Sequence, residues 1–117
     1  MQVLNMAEVG ELTVKKLSKR DWEIIRNNCI TIDTNTKREK TEVGSFIKYL
    51  IVLGIESAPF FKSKYLENSR LDGHKIQERE NEYYDSEISQ NVFDTISTKI
   101  REHNSINEPE VKEIKKE

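Results

Sequence analysis

Residues 46 to 55 read FIKYLIVLGI, ten residues with one charge, in a chain where 34 % of all residues are charged. Val43, Phe46, Ile47, Leu50 and Gly54 fall on one stripe at helical spacing, and Tyr49, Ile51, Val52, Leu53 and Ile55 cover most of the remaining circumference. A helix that is apolar all round has to be buried all round. The rest of the chain supplies little cover, because hydrophobic residues make up only 35 % and the mean hydropathy is -0.74, below the usual globular share. With 117 residues there is room for one compact domain and a tail. A second copy of the same chain is the expected cover.

The elements around this helix follow from pattern and punctuation. Residues 1 to 10 show no clear period, end in Gly10 and read as a flexible arm. In ELTVKKL, residues 11 to 17, Leu12 and Val14 alternate with Glu11, Thr13 and Lys15, the period of a short half-buried strand. Ser18, with Asp21 three residues on, predicts a helix start, and Trp22, Ile25 and Cys29 form its apolar stripe. TIDTNTKREK, residues 31 to 40, is polar and reads as a loop, longer than helix-to-helix connections usually are. Thr41 then caps the apolar helix, with Glu42 in its first turn and Gly54 near its end.

Ala58-Pro59 predicts a third helix through FFKSKYLENSRL, with Phe60, Phe61, Tyr65 and Leu66 on one side and Gly73 interrupting. The charged stretch HKIQERENEYYDSE is compatible with helix or linker. Ile88, Val92, Phe93, Ile96 and Ile100 mark an amphipathic helix over 86 to 103. Residues 105 to 117 are expected to be a disordered charged tail.

One short strand, an amphipathic helix, a loop and a very apolar helix, in TVKKLSKRDWEII and KTEVGSFIKYLIVLGI, resemble the ribbon-helix-helix family of DNA-binding proteins. The likeness spans residues 11 to 56 and is carried chiefly by Thr41, Val43, Phe46, Ile47, Leu50, Ile51, Gly54 and Ile55. It implies a mainly α fold with one N-terminal strand, in which two chains pair their strands into a β-ribbon that enters the DNA major groove. The dimer core would be Leu12, Val14, Trp22, Ile25, Phe46, Ile47, Leu50 and Ile51. Double-stranded DNA would be met by Thr13, Lys15 and Lys16 of the strand, by Lys37, Arg38 and Lys40 before the second helix, and by Thr41 and Ser45 at its N-terminus. Aligning Leu17 with the apolar residue before the first cap reverses the strand, so that Val14 and Lys16 face DNA instead. Residues 57 to 104 would be a helical extension for dimerisation or partner binding.

Charge placement agrees with a polyanionic partner for the first half. Residues 1 to 64 hold 11 Lys/Arg against 8 Asp/Glu, a net of +3, and residues 65 to 117 hold 8 against 13, a net of -5. The resemblance implies a homodimeric repressor, an antitoxin or a plasmid-transfer accessory factor. The competing expectation is a phage- or plasmid-borne inhibitor or adaptor that binds a protein through its acidic C-terminal half. An enzyme is not expected: His74 and His103 are isolated, Cys29 sits in an apolar stripe, and neither a Gly-rich phosphate loop nor metal-ligand spacing occurs, so no cofactor or metal is expected. MQVLNMAEVGEL lacks the basic start and apolar core of a signal peptide, and the ten-residue run is too short to span a bilayer, which predicts a cytoplasmic protein without membrane contact.

Overall fold

A computed structural model describes residues 2 to 62 and 73 to 104. The chain opens with strand β1 (Gln2–Met6), which pairs antiparallel with β2 (Gly10–Val14), Leu4 opposite Leu12. The connecting turn closes through Val9 N–H donating to Met6 O, and Gly10 sits at a φ of 104°, where a side chain would be strained. Helix α1 (Lys19–Cys29) follows, then the hairpin β3 (Ile30–Ile32) and β4 (Glu39–Thr41), and then α2 (Val43–Gly54). Strand β5 (Ile55–Ser57) continues directly from α2 and pairs with the other edge of β2, making a three-stranded sheet in the order β1-β2-β5. Helices α3 (Gly73–Asp85) and α4 (Gln90–His103) complete the described residues.

This architecture is an α/β mix and corrects the expected fold class. Among the described residues there are four helices and two small sheets, where a mainly α chain with one N-terminal strand was expected. The supposed arm forms β1, because Leu4 and Met6 alternate with Asn5 and cover the hairpin's inner side. Strand β2 therefore has both neighbours from its own chain. The strand expected to form an intermolecular ribbon is here the middle strand of an intramolecular sheet, its backbone paired with β1 along its length and with β5 at Thr13 and Val14. The expected third helix begins instead as a turn over Ala58 to Phe61, with Phe61 N–H donating to Ala58 O, and its later residues lie outside those described, as does the tail 105 to 117.

The cover for α2 is the chain itself. Helix α2 packs against α1, α3 and α4, and Phe46 and the run Tyr49 to Gly54 are buried. Leu12, Val14, Ile25, Leu50 and Ile51, assigned above to a dimer core, are fully or almost fully buried within one copy, and Trp22 and Ile47 are half-buried against the same core. From the C-terminal side come Tyr83, Phe93, Ile96 and Ile100. Helix α3 settles the open alternative for residues 74 to 85 in favour of helix, through Ile76 and Tyr83 on one stripe.

Polar ties join the segment before α1 to the end of α4. Asn104, which caps α4, accepts from Leu17 N–H at 2.8 Å and donates to Lys15 O at 3.4 Å. Helix α1 starts at a full capping box, Ser18 Oγ accepting from Asp21 N–H and Asp21 Oδ2 from Ser18 N–H. Helices α2 and α4 meet at a glycine. A Cβ built on Gly54 would lie 2.8 Å from Ile100 Cγ2 and 3.3 Å from its Cδ1, closer than packed carbons tolerate. Gly54→Ala is expected to cost about 1–3 kcal/mol in urea unfolding, as overpacking does. Pairing it with Ile100→Ala should cost less than the two changes summed, since the clash then disappears.

Candidate functional site

The β3–β4 hairpin stands apart from the rest of the structure. Every residue from Thr31 to Lys40 is exposed, and β3 follows directly on α1 and packs against it. Its sequence explains its form. Ile30, Thr31 and Ile32 are β-branched and favour extended backbone, so they end α1 and begin a strand. At the tip, Asp33 Oδ1 accepts from Asn35 N–H at 2.8 Å and from Thr36 N–H at 3.3 Å, a side-chain turn that Asp makes well. Lys37 adopts a left-handed φ of 62°, its N–H donating to Asp33 O, and Asp33 N–H donates to Arg38 O. The connection assigned above as a loop is thus a folded ribbon, and its length was the signal.

Register sorts the ribbon's side chains onto two faces. Ile30 lies opposite Thr41, Thr31 opposite Lys40 and Ile32 opposite Glu39, with Arg38 opposite Asp33 one step nearer the tip. Cross-strand partners share a face and alternate along the strand. Thr31, Arg38 and Lys40 therefore line one face, while Ile30, Ile32, Glu39 and Thr41 line the other. Asp33 shares the basic face, and its carboxylate is engaged within the turn. Arg26 in the last turn of α1 leads toward the ribbon, and Lys19 and Arg20 in its first turn are exposed as well.

The other expected DNA contacts are dispersed. Thr13 lies in the middle strand, opposite Val3 on one side and Ser57 on the other. Lys15 is buried; its Nζ pairs with Asp21 Oδ2 at 2.9 Å, with side-chain exposures of 7 % and 4 %, and reaches Leu53 O at 3.4 Å. Lys16 is exposed, but its Nζ donates to His103 O at 2.6 Å. Thr41 ends β4 and does not cap α2, whose N-cap is Glu42, a residue that supplies no side-chain capping bond. Ser45 is half-buried in the first turn of α2. Lys37, Arg38 and Lys40 come together on the hairpin, with Thr41 at its base on the opposite face.

A second polar cluster, which sequence reasoning missed, joins α2 to α3. Lys48 Nζ lies 2.9 Å from Glu80 Oε2 and 3.1 Å from the Tyr84 hydroxyl, and Tyr49 Oη donates to the same Glu80 oxygen at 3.0 Å. Burial by itself would lower the Lys48 pKa, but hydrogen bonds to Glu80 and Tyr84 and the attraction of Glu80 outweigh it and hold the ammonium charged above its ordinary range. Burial pushes the Cys29 thiol up to about 11, only partly offset by Lys48, which leaves it a packing residue and a poor nucleophile. Among the described residues no group of three or more His, Cys, Asp or Glu is placed to hold a metal, and no helix is long and apolar enough to cross a membrane. No family model, curated protein or solved structure matches the chain.

Proposed function

We propose that this protein is a non-enzymatic double-stranded DNA-binding module whose working element is the β3–β4 ribbon. The observation that carries this reading is the register, which puts Thr31, Arg38 and Lys40 side by side on one exposed face. A two-stranded ribbon is narrow enough to enter the B-DNA major groove, where arginine or lysine pairs with guanine O6 and N7 and threonine with several base edges. Exposed Lys19, Arg20 and Arg26 of α1, and Lys37 at the ribbon tip, are then available to phosphates. The DNA face moves from residues 13 to 16, where the chain's own strands and Asp21 engage it, to residues 31 to 40.

The protein-binding alternative through the acidic half has less support. Glu80 is turned inward onto Lys48 and Tyr49, and Glu82 Oε1 accepts from Lys62 N–H at 3.3 Å, so two of its carboxylates serve the fold.

The test is fluorescence anisotropy with duplex DNA over about 50 to 200 mM salt, the range in which phosphate contacts show. Arg38→Ala combined with Lys40→Ala should weaken binding at least about 10-fold, given roughly 1–3 kcal/mol for each base contact. Lys16→Ala should stay within about 2-fold, because its ammonium is occupied by His103 O. Equal losses in the two proteins, or an unaffected double variant, would overturn the assignment to the ribbon.

A further inference from the structure

The three-stranded sheet has two outer edges, and the chain treats them differently. An edge strand turns the N–H and C=O groups of alternate residues outward, and proteins blunt such edges with charge, proline, a bulge or a cover. The β5 edge has a cover, since Arg79 of α3 donates to Ile55 O and Glu56 O. The β1 edge lacks the other three devices. Its sequence, QVLNM, holds no charged residue and no proline, in a chain where 34 % of residues are charged. It pairs with β2 in unbroken register over all five residues, and no described strand lies along its other side. Val3 is 54 % exposed, and Leu4 and Met6 are only partly buried against the core.

We propose that β1 is a self-association edge, which pairs antiparallel with β1 of a second copy and joins two three-stranded sheets into one of six strands. Two features select a copy of this chain over another partner. A charge in a strand that meets its own copy has to be matched by an opposite charge in the same strand, and an uncharged strand meets that condition outright. The strand is also compatible with a two-fold axis at Leu4. Such an axis sets Leu4 beside the partner's Leu4, Gln2 beside the partner's Met6 and Val3 beside the partner's Asn5. Residues directly opposite share a face, so Leu4 and Met6 carry the core-facing side of the sheet across the seam, while Val3 and Asn5 stay on the outer side. Main-chain pairing supplies the affinity, and this alternation fixes the register. Nothing in this assignment depends on DNA binding.

Sedimentation equilibrium on the full chain tests it between about 10 µM and 1 mM, where small interfaces dissociate. The natural chain should approach twice 13.8 kDa. Val3→Lys with Asn5→Lys sets like charges across both halves of the seam and should weaken the dimer at least about 10-fold. Val3→Glu with Asn5→Lys sets opposite charges across the same seam and should bring the dimer back to within about 3-fold of the natural chain. Both variants keep the fold, with unchanged circular dichroism, since Val3 and Asn5 are exposed and Asn5 lies opposite Glu11, which suits a lysine. A natural chain that stays at 13.8 kDa throughout would overturn the proposal. So would a dimer indifferent to the two lysines, which would place the contact elsewhere. A glutamate–lysine variant as weak as the double-lysine one would exclude this two-fold register and overturn it as well.

Discussion

Arg79→Met should leave the protein largely unfolded. Arg79 has no exposed surface, and its guanidinium spans the end of α2 and the start of β5: Nη1 donates to Val52 O at 2.9 Å and to Ile55 O at 2.5 Å, and Nη2 to Glu56 O at 3.0 Å. The last carbonyls of a helix have no partner within it, and α2 turns straight into a strand without a left-handed capping residue. Arg79 fills that place from a different helix, adds positive charge at the negative end of the helix dipole, and stacks 4.4 Å from the Phe61 ring. Methionine keeps most of the volume and leaves three carbonyls without these donors. At about 1–3 kcal/mol for a buried group left unsatisfied, and some relaxation, the loss is about 4 kcal/mol, comparable with the whole stability of a small domain. Arg79→Lys should recover less than half, because one ammonium cannot serve carbonyls on both elements as a planar fork does. Urea unfolding followed by circular dichroism reads both; a midpoint like that of the natural chain would show that the capping role is wrong.

The second large effect is expected at Leu50. It is fully buried in the middle of α2, where α1, α3 and α4 surround the helix. Leu50→Asp removes an apolar side chain whose loss costs about 2–5 kcal/mol and places a carboxyl where no water reaches. The chain should be unfolded at every concentration, because the residues that bury α2 are in the same copy. A soluble, helical monomer from this variant, beside a dimeric natural chain, would mean that a second copy does the burying and that the packing described above is wrong.

What could be foreseen follows the range of the interactions. Helix α1 was legible because its signals are local: Ser18 and Asp21 at its start, and Ile25 and Cys29 on one stripe, both now in the core. Helix α4 was legible for the same reason, through Phe93, Ile96 and Ile100. Its cap at Ser89 makes a side-chain bond to Val92 N–H. The apolar character of α2 was legible, and the cover that its own chain gives it was not. Composition suggested that the chain lacked cover, but α3 presents Ile76 and Tyr83 from a stretch that is mostly charged, and Arg79 within that stretch looks like any solvated arginine. Its carbonyl partners lie 23 to 27 residues away in sequence, and nothing local announces them. Strand β2 posed the same difficulty. Its period was visible, but pairing with β5 depends on a segment more than forty residues later. Of the expected DNA contacts, Lys37, Arg38 and Lys40 were grouped by adjacency, and only the hairpin's register shows that Arg38 and Lys40 share a face with Thr31.

The most direct test of this account is the map of backbone amides that shift when the labelled protein is titrated with a short duplex at about 50 mM salt, where phosphate contacts are strong. The shifts should concentrate on Thr31 to Thr41, with smaller ones at the start of α1, and Glu11 to Lys16 should stay in place. Shifts centred on Glu11 to Lys16, or none anywhere, would contradict it.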